Sequence, residues 1–256
     1  MGLKKNLQED CNMMPYYHYT VLADLFRYPG NNYPDVVAHC RQIMQEQYPE
    51  AVQDIDVFAD YINSHTADER EELYTKTFDV QPICYLDLGY VLFGEDYKRG
   101  VFLLHMQHEQ QKACNDCGTD LADNLCNMLT LFHKTRDQQL MNELVVKILI
   151  PGVKKMIAEF AQARVELKTK VLKKLHRAII QEELNNGNVY RHVFLSLLRI
   201  LEKDFENIRF EKPAGSITDL QRHQSFFSKQ SVYTEIINQQ KNAVEINNLV
   251  NNYKLD

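Results

Sequence analysis

The chain has 256 residues, 45% of them hydrophobic, and a formal charge of −6, enough for one large domain or two small ones that bury a core without staples. The acidic balance, with a pI near 5.9, excludes a general nucleic-acid binder, which carries a basic stripe. No stretch reaches the ~18 apolar residues of a membrane helix, and Gln8, Glu9 and Asp10 stand where an export signal needs an apolar run. The expected compartment is therefore the cytoplasm, without stable membrane insertion, and the six cysteines read as free thiols or metal ligands.

Tyr16 to Tyr28 places Tyr19, Leu22, Leu25 and Phe26 at helical spacing, and Pro29-Gly30-Asn31-Asn32 stops it. Pro34 opens a second helix as a first-turn proline, with Val37, Cys40 and Met44 on one face. Glu50 to Asn63 is a third, using Val52, Ile55, Ala59 and Ile62. Thr66-Ala67-Asp68-Glu69 has the capping-box pattern, in which hydroxyl and carboxylate each satisfy a free N–H, and opens a fourth helix reaching Phe78. Tyr85 to Phe93 is helical beyond Pro82. Gly94-Glu95-Asp96 caps a helix running from Tyr97 to about Ala113. Leu121 to His133 is helical again after a loop.

Gln138 to Ile150 is a further short helix, broken by Pro151-Gly152. A long helix then reaches about Leu184, Asn185-Asn186-Gly187-Asn188 ends it, and Val189 to Asp204 is the last strong helix. No alternation of apolar and polar residues supports a strand. The expectation is an all-α, single-domain bundle of about eight to ten helices over residues 1–210. Residues 211–256 begin with a linker at Lys212 to Ser216 and continue as a weakly ordered or partly helical tail.

Between Tyr74 and Phe132 aromatic residues, acids and one arginine alternate at short intervals: Tyr74, Phe78, Asp79, Tyr85, Asp87, Tyr90, Phe93, Glu95, Asp96, Tyr97 and Arg99. Flat rings supply contact area and carboxylates attract positive groups, a mixture that suits a peptide-gripping surface. Buried aromatics with Asp79, Asp96 and Asp123 capping helices or pairing with Arg99 account for the same residues equally well.

The order F-D at Phe78-Asp79, F-G-E-D-Y-K-R-G from Phe93 to Gly100, an apolar helix, and then L-A-D-N-L from Leu121 to Leu125 resembles the NarJ branch of the TorD/DmsD/NarJ family. L-F-R-Y-P-G from Leu25 to Gly30 adds a weaker similarity. The two prolines of the family's E-L-P-D-x-L-P pattern are replaced here by Ala122 and Cys126, and the resemblance covers about the first 135 residues. It implies an all-helical cytoplasmic chaperone, not an enzyme and without a cofactor of its own. Such a chaperone binds the apo catalytic subunit of a molybdenum oxidoreductase, a nitrate-reductase-like one by this branch, and assists cofactor insertion as a monomer or homodimer. It also shifts the balance toward peptide binding by Tyr74, Asp79, Tyr90, Asp96, Arg99, Asp123 and Asn124. Asp123, matching the acid of the hinge motif, is expected to face a groove, with Asn124 offering amide hydrogen bonds.

His105 and His108 share a helix face just before Cys114-x-x-Cys117, four ligands that suit a zinc site or a thiol sensor, although the spacing matches no zinc ribbon or finger. The other reading is solvated histidines and free thiols, and no stoichiometric metal is expected. Lys170, Lys173, Lys174 and Arg177 fall on one helix face, either a docking surface for acidic partners or the solvated side of an amphipathic helix. No phosphate loop, Ser-His-Asp order or HExxH motif occurs.

Overall fold

The computed structural model describes residues 15–173 and 177–208, with side chains described for 15–161 and 189–208. The chain divides into two units, Met1–Arg209 and Phe210–Asp256, and the elements below belong to the first. The expected linker and tail, Cys11, and the side chains of Lys170, Lys173, Lys174 and Arg177 lie outside the described residues.

Among those residues the fold is all-α. Helix α1 (His18–Ala23) tightens into a 3-10 turn at Asp24–Phe26, and α2 (Tyr33–Gln47) and α3 (Pro49–Ser64) each carry a first-turn proline, where its missing N–H costs nothing. Helix α4 (Ala67–Phe78) starts on the complete capping box: Thr66 Oγ1 accepts from the Glu69 N–H, and a Glu69 carboxylate oxygen accepts from the Thr66 N–H at 2.7 Å. Helices α5 (Leu88–Phe93), α6 (Tyr97–Lys112), α7 (Leu125–Leu131) and α8 (Gln138–Leu144) follow. Long helices α9 (Ile150–Lys173) and α10 (Arg177–Asp204) complete the unit.

Helix α10 packs along α3, α4 and α9, α2 lies on α3, and α1 covers α7. Rings fill the centre: Phe26 and Phe194 are 4.8 Å apart, Phe58 and Tyr190 4.9 Å, Phe78 and Tyr190 4.8 Å, and Phe160 reaches Phe194 at 5.7 Å. All six residues are buried, each worth about 1.5–3 kcal/mol relative to exposure.

Four boundaries differ from the sequence expectations. Pro151-Gly152 does not break the chain, because a π-turn at Val145–Leu149 joins α8 directly to α9, with the Ile150 N–H reaching back five residues to the Val145 carbonyl. The wider turn comes just before Pro151, which has no N–H to give to a regular helical bond. Asn185 to Asn188 lie inside α10 instead of ending a helix. Helix α7 starts at Leu125 and α5 at Leu88, later than periodicity suggests, because residues 84–87 and 121–124 run alongside each other: Asp87 and Asn124 form an antiparallel bridge, the Leu88 N–H bonds the Asp123 carbonyl and the Leu125 N–H the Leu86 carbonyl.

Candidate functional site

The two paired segments bring together residues far apart in sequence. Asn124 is the N-cap of α7: its Oδ1 accepts from the Cys126 N–H at 3.0 Å while its Nδ2 donates to Asp87 Oδ1 at 3.4 Å. Tyr90, on α5, stacks edge-on with Tyr85 at 4.3 Å between centroids. The Arg99 guanidinium, projecting from the first turn of α6, lies 5.1 Å over the Tyr90 ring, with Nη2 3.9 Å from Asp87 Oδ2. Tyr90, Arg99, Asp87 and Asn124 therefore form one half-exposed constellation.

Asp123 sits beneath it, and here the expectation of an acid facing an open groove is corrected. The residue is 0% exposed; Oδ2 accepts from the Gly89 N–H at 2.9 Å, and Oδ1 has no partner among the described residues. The absence of a side chain at Gly89 permits this, since a Cβ there would stand 2.5 Å from Oδ2. Burial, with the charge of Asp87, pushes the Asp123 carboxyl up from its ordinary value, and burial likewise pushes Asp87 up against the Asn124 hydrogen bond and the Arg99 charge. Two carboxyls that resist ionisation thus adjoin one guanidinium.

The other expected residues are more dispersed. Tyr74 is half-buried and donates to the Phe26 carbonyl at 3.2 Å, with its ring edge-on to Tyr28. Asp79 is exposed at the C-cap of α4, and Asp96 is the exposed N-cap of α6, accepting from the Lys98 N–H. Both acids thus occupy helix-capping positions. Asp120 joins the halves electrostatically: its charge acts on Tyr74 and on Asp87. Large apolar side chains are exposed close in sequence to several of these residues, with Tyr28, Val80, Tyr85, Tyr97 and Leu121 between 38% and 77% exposed. Sequence reasoning places Asp87 and Tyr85 in this segment without assigning them to the site; the role of Asp87 depends on its pairing with Asn124 across 37 residues, which no local pattern encodes.

The His/Cys set is arranged differently from a ligand cage. His105 Nε2 and His108 Nδ1 lie 3.8 and 3.5 Å from the buried Glu109 carboxylate, which Lys112 also approaches at 3.4 Å. Among the described residues no group of three or more His, Cys, Asp or Glu side chains is placed to hold a metal ion. Cys114 is exposed at φ 51°, while partial burial and the charges of Asp116 and Asp120 push the Cys117 thiol up, opposing a reactive thiolate. Cys126, buried against α1, is pushed up to about 12. Among the described residues no helix is long and apolar enough to cross a membrane.

No protein-family model matches this chain, and no curated protein matches it.

Proposed function

We propose that this chain is an all-α chaperone that binds the apo catalytic subunit of a molybdenum oxidoreductase, a nitrate-reductase-like one by resemblance, and holds it for cofactor insertion. The observation that carries this reading is the clustering of Tyr85, Tyr90, Asp87, Arg99 and Asn124 at the paired segments 84–87 and 121–124, with the exposed Asp120 acting on both Asp87 and Tyr74. Rings bury area at small entropic cost, and carboxylates select a segment bearing Lys or Arg. The motifs at Phe93 to Gly100 and Leu121 to Leu125 that resemble the NarJ branch contribute residues to this same surface. The function is recognition and release, with no covalent step.

Co-expression with the catalytic subunit of a molybdoenzyme encoded beside this chain tests it. The complex is expected with the cofactor-free subunit and should dissociate on loading. Capture of only the mature, loaded enzyme would overturn the maturation role.

A further inference from the structure

The guanidinium of Arg99 is held in an unusual way. Its charge partner is Asp87, at 3.9 Å and beyond hydrogen-bond range, and its other neighbour is the face of Tyr90. No hydrogen bond of its side chain occurs among the described residues, although a guanidinium carries five donors. Its stem passes over Gly89, where a Cβ would stand 3.4 Å from Arg99 Cγ and 2.5 Å from Asp123 Oδ2. The arginine therefore lies across the residue that receives the buried Asp123 carboxylate, whose Oδ1 is unpartnered. Side chains of Arg99 and Asp87 are 29% and 26% exposed, so both are within reach of solvent.

We infer that Arg99 is a displaceable internal counter-ion: it covers and neutralises the Asp87/Asp123 pair in the free protein and yields that place to a cationic side chain of a bound segment. This rests on reading the surface as a client site, and it makes Arg99 a residue that sets the binding threshold instead of one that grips the client. The physical basis is a contrast in bond quality. A long, screened ion pair over a ring is weak, whereas an incoming guanidinium or ammonium can donate a hydrogen bond to the part-exposed Asp87 carboxylate, where Arg99 makes none. Arg99, once displaced, retains the Tyr90 face and water, so little is lost on its side. Weakly cationic segments would not displace it, which gives selectivity by competition within the site.

The probe is a capped dipeptide, acetyl-Leu-Arg-amide, with acetyl-Leu-Gln-amide as neutral control, titrated into the full chain while the Gly89 amide resonance is followed by NMR. That N–H donates to Asp123 and reports the site directly. Arg99→Gln is expected to bind the cationic dipeptide about three- to fivefold more tightly than wild type, the scale of a partly exposed ion pair. Arg99→Lys should restore wild-type affinity, and the gain in Arg99→Gln should disappear when Asp87→Asn is added. Melts of each variant check folding, and the affinity gain should fade as pH falls into the carboxyl range. Unchanged or weaker binding by Arg99→Gln overturns the proposal, as does an equal gain for the neutral dipeptide. The outcomes separate from those of the client experiment: capture of the apo subunit without a gain in Arg99→Gln sinks only the counter-ion, and a gain without capture sinks only the client.

Discussion

Two aspartates of this protein are shifted in opposite directions by their surroundings, and the pH dependence of folding separates them. Asp123 has its folded-state pKa raised by burial and by Asp87, so its charged form opposes folding. Its contribution is least costly below the ordinary carboxyl value of about 3.9 and worsens as pH rises through the raised value. Asp123→Asn, which keeps an oxygen for the Gly89 N–H, is expected to flatten this slope in urea denaturation repeated across the acid range. Asp123→Ala removes the acceptor and leaves a buried N–H unpaired, and should lower stability by about 1–3 kcal/mol at any pH. A folded state indifferent to Asp123→Ala would return this residue to an exposed role.

At the scale of elements, α5 is the piece whose packing positions the site, and glycines control how closely its neighbours approach. A Cβ at Gly152 on α9 would collide with Leu88 Cδ2, whereas one at Gly100 on α6 would meet nothing within 4 Å. Alanine at either position gains up to ~1 kcal/mol of helix propensity, but overpacking costs about 1–3 kcal/mol. Gly100→Ala is therefore expected to raise the denaturation midpoint and Gly152→Ala to lower it; a stabilised Gly152→Ala would mean that Leu88 swings aside freely. The same elements show what was legible in sequence. The capping box of α4, the first-turn proline of α2 and the Asp96 cap are local chemistry, and the structure follows them. Pro151-Gly152 and Asn185 to Asn188 are local stop signals overridden, the first by a π-turn and the second by a helix that continues into buried Val189, Tyr190, Val193 and Phe194. The candidate site was legible as composition only, because the bridge from Asp87 to Asn124 and the burial of Asp123 arise from long-range pairing.

At the scale of the whole described unit, one carboxylate ties its first helix to its last. Asp204 accepts from Tyr19 and Tyr48 hydroxyls at 2.9 Å, and His18 Nε2 lies 2.9 Å away. Burial alone would push this carboxyl up, but the His18, Tyr48 and Tyr19 hydrogen bonds together with the His18 charge hold it below its ordinary value. Its stabilising contribution is therefore full above about pH 3.9 and is lost as pH falls through the depressed value. Asp204→Asn is expected to cost about 1.5–3 kcal/mol near neutral pH and to reduce the acid sensitivity of unfolding; an unaltered acid limb would remove Asp204 from that role. The tie also sets an order of events during synthesis. His18 and Asp204 are 186 residues apart, so at ribosomal rates of about 5–20 residues per second the partner of His18, Tyr19 and Tyr48 arrives on the order of ten to forty seconds after the first helix emerges. Until then the hydroxyls of Tyr19 and Tyr48 lack this acceptor, and the first helix, which is only six residues long, has little local stability of its own. The N-terminal end of the described unit thus gains this polar tie only from the end of α10, and a nascent chain stalled before Asp204 would hold α1 through its packing on α7 without it.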